Sequence, residues 1–259
     1  MNLDLFNDHM KYQGYCLFEK LLDINLLVGL KEDLDKWLDF AEQIRRNNGL
    51  KSSMSGVAHN ILGRDDAMAA FIKSLPLHGF LKSYFSGPYI LNSFSGMKHI
   101  ADAKQTYEHV QNFHRDVRVF SREKNLMINM IVMLDEFTIV NGATKIIPGS
   151  HKHEEMPCQE YLDKESHYVT GEAGSVLLFD SNVWHSASKN LSGEPRRALT
   201  LNYTKPYIKQ QADFLSLVGF DFSDEKDVMD VIGLRSRTPK SHSDWYQEGD
   251  KRFYHSDQR

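Results

Sequence analysis

The stretch Asn112-Phe113-His114-Arg115-Asp116 organises this chain, because it sets a histidine and an aspartate two residues apart. In a β-strand, side chains at that spacing point to the same face, so a strand over 110–120 would make His114 and Asp116 converge. A second imidazole, from His185, would complete a set of two histidines and one carboxylate. That set is typical of non-heme Fe(II) and leaves coordination positions open. The pattern therefore predicts a metal site.

A candidate anion receptor follows the second histidine. Arg196 comes after His185 and a turn-forming loop, 189–195, so a hairpin could bring the two side chains together. A guanidinium group binds a carboxylate through two parallel hydrogen bonds. This arrangement suits a 2-oxo dicarboxylic acid, whose keto and C1 carboxylate oxygens would bind the metal while Arg196 binds the far carboxylate. A lone H-x-D pair is weak evidence in a chain with 12 histidines, and His185 and Arg196 strengthen it.

The composition is that of an ordinary globular protein. The chain has 259 residues, of which 41% are hydrophobic and 25% charged, and its net charge is −4. Without a basic block, nucleic acid is not expected as a partner. No apolar run approaches the roughly 20 residues that span a bilayer, and residues 1–16 lack a signal-peptide pattern. We expect a cytoplasmic protein with reduced thiols at Cys16 and Cys158, acting on a small molecule; the oligomeric state is not readable.

Hydrophobic periodicity divides the chain into three parts. Helical spacing predicts helices at 18–47, 66–75 and 77–85, and again at 209–218 and 224–233. Short segments rich in β-branched and aromatic residues predict strands at 89–94, 110–120, 125–135, 143–147, 175–180, 183–188 and 196–204. Many short strands favour a double-sheet jelly roll. We therefore expect one domain over 1–259, with a helical part (1–88), a jelly-roll core (89–208) and C-terminal helices and tail (209–259).

Several motifs in the core share the pattern of one enzyme family. Residues 114–116 have the form H-x-D, 141–152 read N-G-x-x-x-x-x-P-G-S-H-K, and 195–199 read P-R-R-A-L. With the segment 174–180 that leads to His185, they resemble the phytanoyl-CoA dioxygenase family of Fe(II)/2-oxoglutarate oxygenases. The resemblance covers 89–208. It implies a mainly β fold with flanking α-helices, built on a double-stranded β-helix (jelly roll, cupin-like) core.

The same resemblance implies the cofactors and their ligands. Fe(II) would be held by His114, Asp116 and His185, 2-oxoglutarate by Arg196, and O₂ would be the other co-substrate. Asn129 falls on the strand where relatives place a polar contact to 2-oxoglutarate, although a core amide satisfied by its neighbours is the alternative. Further residues that could line the pocket are Asn92 and Gln111. The part of the pocket that faces the substrate could be an apolar wall formed by Phe94, Phe113 and Phe120. It could instead be an anion receptor formed by Lys98, Lys104 and Arg118.

The expected reaction is hydroxylation of an unactivated C–H bond, with release of succinate and CO₂. Asp116 favours this outcome, because halogenating relatives carry a small residue in its place; desaturation and ring formation stay open. The loop-like segment 95–108 is a candidate lid or substrate loop. Two alternatives remain: a metal cupin that does not use 2-oxoglutarate, and a catalytically silent jelly-roll binding protein. Arg196 argues against the first, and the intact ligand set argues against the second. The identity of the substrate is not encoded in any recognisable motif.

Overall fold

Two antiparallel sheets form the centre of the molecule. The computed structural model describes residues 1–50, 56–99, 112–117, 119–121, 124–249 and 252–253. The large sheet has the order β1-β7-β4-β9-β3-β2 and the small sheet the order β6-β5-β8. Their bounds are β1 Tyr15–Phe18, β2 Val57–His59, β3 Ile90–His99, β4 Met127–Met133, β5 Thr144–Ile146, β6 His167–Val169, β7 Val176–Asp180, β8 His185–Ala187 and β9 Arg196–Thr204. The predicted mainly β class with flanking helices is confirmed.

Helices flank the large sheet. They are α1 Leu3–Tyr12, α2 Ile24–Asn47, α3 Ala67–Lys73, α4 His78–Phe85, α5 Gln159–Glu165, α6 Phe214–Val218, α7 Lys226–Val231 and α8 His242–Trp245, with 3₁₀ turns at Ser150–Lys152 and Leu234–Ser236. The helix predicted at 18–47 begins later, at Ile24, because the Asp23 carboxylate caps it by accepting from the Asn25 and Leu26 amides. Within the described part of the chain, no helix is long and apolar enough to cross a bilayer.

The main hydrophobic core lies between the helices and the outer face of the large sheet. Gly96 on β3 permits this packing, since a Cβ there would come within 2.3 Å of Leu34 Cδ1 on α2 and within 2.9 Å of Ile61 Cδ1. Phe94 belongs to this outer core and lies 6.4 Å from the Phe71 ring. The predicted apolar substrate wall therefore does not include Phe94, because alternation along β3 points its ring away from the space between the sheets.

The inner face of the large sheet meets the small sheet across a second, smaller core. Strand β9 shows how the two faces separate. Leu199, Leu201 and Tyr203 join the outer core, whereas the alternate residues face the cavity between the sheets: Arg196, Ala198, Thr200 and Asn202. The prediction of a loop from residue 95 is wrong at its start, because β3 continues to His99 and pairs with β9 along its length. The remainder, 100–108, lies outside the described residues.

Leu178→Ala should lower the free energy of unfolding by about 2–5 kcal/mol, because it leaves a cavity in a packed core. Leu178 is fully buried on β7, between β1 and β4. Equilibrium unfolding in urea measures the change. Leu191→Ala is the matched control: that side chain is 76% exposed, and its truncation should cost less than about 0.5 kcal/mol. Equal losses in both variants would contradict the assigned core.

Candidate active site

A backbone bridge, rather than a strand, brings the H-x-D pair to the second histidine. The strand predicted at 110–120 is wrong: within 112–117, only His114 pairs as β structure, and Asp116 lies in a bend. The His114 amide donates to the His185 carbonyl at 2.9 Å, and the His185 amide donates to the His114 carbonyl at 3.0 Å. This pair of bonds adds His114 to the edge of the small sheet beside β8, and the bend after it turns Asp116 back towards both imidazoles.

The three predicted ligands meet at one point. Candidate donor atoms of His114, Asp116 and His185 all lie within 4.8 Å of one another. Each histidine Nε2 lies 3.5 Å from an oxygen of the Asp116 carboxylate. The other ring nitrogens, Nδ1, face carbonyl acceptors: that of Asn112 at 2.9 Å for His114, and that of Val183 at 3.0 Å for His185. Because a carbonyl only accepts, each Nδ1 carries a proton, which leaves Nε2 as the ring nitrogen that would bind a metal ion.

Two of the three residues, His185 and Asp116, are held in the protonation state that a divalent metal ion needs. Burial lowers the pKa of His185 and outweighs the opposing charge of Asp116, so this imidazole is held neutral. Burial raises the pKa of Asp116, but the neighbouring imidazoles of His185 and His114 and a hydrogen bond from Asn129 bring that pKa below its usual value. Burial also lowers the pKa of His114, although bonds to Asp116 and to the Asn112 carbonyl leave it raised overall. A carboxylate and imidazole nitrogens in this arrangement fit Fe(II).

Asn129 fixes the carboxylate. Its Nδ2 donates to Asp116 Oδ2 at 2.6 Å, and its Oδ1 accepts from Ser181 Oγ at 3.3 Å. The side chain lies on the inner face of β4 and borders the cavity. Such a bond orients the carboxylate that it contacts. Contact of Asn129 with 2-oxoglutarate stays a prediction.

Arg115 joins the two ligand-bearing segments from behind, a contact that the sequence analysis missed. Its guanidinium carbon lies 4.5 Å from the Trp184 ring centroid and 5.1 Å from that of Phe120, and it also donates to the His153 carbonyl. Arg115 sits between His114 and Asp116, while Trp184 immediately precedes His185. The cation–π contact therefore ties the two segments together on the side away from the cavity. An arginine between two ligands and a tryptophan before the third were the available signals.

Arg196 is a buried cation with a free donor. Its side chain is 3% exposed and stacks 4.1 Å from the Phe137 ring centroid. Nη1 donates to the Gly142 carbonyl at 2.5 Å, and Nη2 lies 3.9 Å from Met97 Sδ. Nε has no hydrogen-bond partner among the described residues. Burial lowers the pKa of Arg196 to about 10, partly opposed by the charge of Asp135, so the group stays charged at neutral pH. A buried, under-paired guanidinium is suited to bind an anion.

His99 stands beside this cation. It is the register partner of Arg196 across the β3–β9 pair. Burial, together with the charge of Arg196, lowers the pKa of His99 to about 4. At neutral pH His99 is therefore an uncharged neighbour that adds no second positive charge beside Arg196.

A single cavity of about 340 Å³ contains most of the predicted site. It is lined by His114, Asp116, His185, Arg196 and Asn129 among others. Asn92 is not part of its wall: the register of β3 shifts between Leu91 and Ser93, and the Asn92 amide donates instead to Thr204 Oγ1 and to the Lys209 carbonyl. Gln111, Lys104 and Arg118 lie outside the described residues.

The residues predicted to face the substrate also differ from the prediction. Lys98 borders the cavity, but its ammonium group is paired with Asp35 at 2.8 Å. Phe120, predicted as part of an apolar wall, instead stacks on Arg115, and neither it nor Phe113 lines the cavity.

Comparison with known proteins identifies relatives of this site. A sequence model of the phytanoyl-CoA dioxygenase family matches residues 10–198. An uncharacterised protein of Mycobacterium tuberculosis is 27% identical over 262 aligned residues, which cover 99% of this chain and 96% of that protein. An iron/alpha-ketoglutarate-dependent dioxygenase of Aspergillus calidoustus is 30% identical over 41% of this chain and 40% of its own length.

Solved structures share the fold. The structure of EctD from S. alaskensis with 2-oxoglutarate and 5-hydroxyectoine matches with a TM-score of 0.61 and 17% identity. The match covers 79% of this chain and 76% of that one. It confirms the predicted jelly-roll class.

The imidazole of His99 should remain neutral from about pH 8 down to about pH 5.5, because its pKa is displaced to about 4 from the ordinary 6.5. The ring-proton resonance of His99 in metal-free protein, assigned by its loss in His99→Gln, measures this by NMR. Arg196→Gln removes the neighbouring charge and should raise the midpoint. A midpoint near 6.5 in the unsubstituted protein would contradict the burial of His99 beside Arg196.

Proposed function

Since the chain belongs to the phytanoyl-CoA dioxygenase family, we propose that it hydroxylates an unactivated C–H bond of a small molecule at the site formed by His114, Asp116, His185 and Arg196. The chain is a dioxygenase whose cofactors are Fe(II) and 2-oxoglutarate. The proposal adds the residues that hold them and the type of bond that is oxidised.

The roles of the residues follow from their positions. Fe(II) and 2-oxoglutarate, when bound, supply the oxidative chemistry in which O₂ is consumed and succinate and CO₂ are released. His114 and His185 present their Nε2 atoms, because Nδ1 of each is engaged by a carbonyl. Asp116 contributes a charged oxygen, oriented by Asn129. Together these residues would hold the metal ion through two imidazole nitrogens and one carboxylate oxygen.

Arg196 would bind the far carboxylate of 2-oxoglutarate and so determine how the co-substrate lies in the cavity. Phe137 and Met97 pack against the guanidinium group and keep water from competing for it. Exclusion of water would strengthen the ion pair, and anchoring the far carboxylate would leave the keto end of the molecule facing the metal site.

The observation that carries the proposal is the unpaired Nε of a buried Arg196 in the same cavity as the triad. A metal enzyme without a dicarboxylate co-substrate has no use for such a cation, whose burial costs free energy unless an anion pairs with it. Asp116 supports hydroxylation in particular, because a carboxylate ligand occupies the position that halogenating relatives leave open.

Anaerobic titration tests the co-substrate assignment. Fe(II) followed by 2-oxoglutarate should produce a weak visible charge-transfer band that requires both. Asp116→Ala should abolish the band, because the metal loses its charged ligand. Arg196→Ala should raise the concentration of 2-oxoglutarate needed for it by about 100-fold or more, since a buried charge-assisted pair is lost.

Arg197→Ala is the matched control for the arginine. Arg197 is adjacent in sequence but pairs with Asp135 on the opposite face of β9, at 2.9 Å. It should leave the titration unchanged. If the band in Arg196→Ala needs the same concentration of 2-oxoglutarate as in the parent, Arg196 does not bind the co-substrate. If the parent protein binds metal but shows no band, a cupin that does not use 2-oxoglutarate is favoured.

Asn129→Leu should weaken metal binding by about 10- to 100-fold, because Asp116 loses the hydrogen bond that orients it. Calorimetric titration with Co(II) in air measures this without turnover. Asn202 is the register partner of Asn129 on β9 and makes no hydrogen bond or ion pair with Asp116 among the described residues, so Asn202→Leu should bind Co(II) as the parent does. Equal loss in both variants would show that Asn129 acts only through packing.

A further inference from the structure

Register aligns a second group of polar side chains on the inner face of the large sheet. Thr200 of β9 pairs with Ser95 of β3, which pairs with His59 of β2. Two residues further along β9, Asn202 pairs with Asn129 of β4. Directly opposed residues of an antiparallel pair bring their Cβ atoms to about 5 Å, so these side chains are neighbours. We name them the polar track: His59, Ser95, Thr200 and Asn202.

The polar track connects solvent to the metal site. At one end His59 is exposed, and its Nδ1 lies 3.0 Å from Ser95 Oγ. At the other end Asn202 stands beside Asn129, whose amide holds the Asp116 carboxylate. His59, Thr200 and Asn202 all line the same cavity as the triad. A molecule that entered past His59 would meet the track before it reached the metal.

The track has hydrogen-bonding capacity that the protein leaves unused. Among the described residues, nothing hydrogen-bonds to the Thr200 hydroxyl or to the Asn202 amide. Both side chains are only partly buried, because they face the cavity. One hydroxyl and one primary amide together offer donors and acceptors in a fixed arrangement. They are therefore available to a ligand, and their geometry would favour one with several hydrogen-bonding groups.

The track carries no unpaired charge. In the described part of the chain, two cations lie near its open end, Lys98 and Arg45, and they are paired with Asp35 at 2.8 Å and Glu42 at 3.3 Å. Burial and the charge of Arg45 lower the pKa of His59, which keeps it neutral at neutral pH. Deeper in the cavity, the charges of Asp116 and Arg196 balance those of Fe(II) and 2-oxoglutarate. Within the described residues, the loaded site has no charge left with which to select an ion.

We propose that Thr200 and Asn202, with His59 and Ser95 at the entrance, form the binding site of the primary substrate, and that this substrate is an uncharged molecule rich in hydroxyl or amide groups, such as a glycoside or a polyol. This inference rests on the proposed function of the site. It sets the substrate apart from an acyl-coenzyme A thioester, whose phosphates require unpaired cations.

Matched probes test the charge of the substrate. Anaerobic protein loaded with Fe(II) and 2-oxoglutarate is titrated with methyl glycosides, cyclic polyols and small primary amides, with the uronic acid and phosphate ester of each sugar, and with an acyl-coenzyme A. Neutral compounds should perturb the visible band and stimulate succinate release in air. Their charged counterparts should bind at least about tenfold more weakly. Perturbation by the anionic compounds alone, or by none of the neutral ones, would overturn the inference.

Two substitutions test the residues. Thr200→Val keeps the shape but removes the hydroxyl, and should raise the dissociation constant of the best neutral probe about tenfold, as should Asn202→Leu. Thr200→Ser keeps the hydroxyl and should retain binding within about threefold of the parent. Unchanged probe affinity in Thr200→Val and Asn202→Leu would overturn the assignment of the track.

These experiments distinguish failure of the proposed function from failure of the substrate-site inference. If the parent protein forms no band with Fe(II) and 2-oxoglutarate, the proposed function itself is wrong. If the band forms and depends on Arg196, but the track variants bind the neutral probe as the parent does, only the substrate site is wrong.

Discussion

The reciprocal backbone bonds between His114 and His185 are the constraint on which the site depends. They join a short segment with little β structure of its own to the edge strand of the small sheet, and so fix the distance between the two imidazoles. The bend that follows delivers Asp116, and the Arg115–Trp184 contact closes the same junction from behind. The candidate metal-binding triad is therefore brought together by two backbone hydrogen bonds and one cation–π contact rather than by strand alternation.

The second important feature of the cavity is a buried positive charge, that of the Arg196 guanidinium. Arg196 is held by one carbonyl, a thioether and an aromatic face, none of which neutralises it. An arrangement of this kind is unfavourable by itself and becomes favourable when a carboxylate enters. His99 remains uncharged beside it, so the local field favours one anion at one place. The polar track, by contrast, has no charged side chain. The charged end of the cavity, where we place the co-substrate, is thus separate from the path by which we propose that the substrate enters.

Local sequence patterns predicted most of the architecture and the composition of the triad, because alternation and turn residues act over a few positions. They failed where tertiary contacts determine the position of a side chain. Asp116 converges through a bend that propensity does not reveal, and Asn92 leaves the cavity because a register shift in β3 rotates its side chain. Lys98 was predicted to bind an anionic substrate, but it forms an ion pair with Asp35, which is distant in sequence. Such pairings depend on how α2 packs against the sheet, and no short motif encodes that.

The most direct test of the account is a crystal structure of the protein grown anaerobically with Fe(II) and 2-oxoglutarate, with anomalous scattering recorded at the iron edge. We predict one iron peak within bonding distance of His114 Nε2, Asp116 and His185 Nε2. We also predict that 2-oxoglutarate lies with its far carboxylate against the Arg196 guanidinium. An iron peak elsewhere, or a co-substrate that leaves Arg196 Nε unpaired, would contradict it.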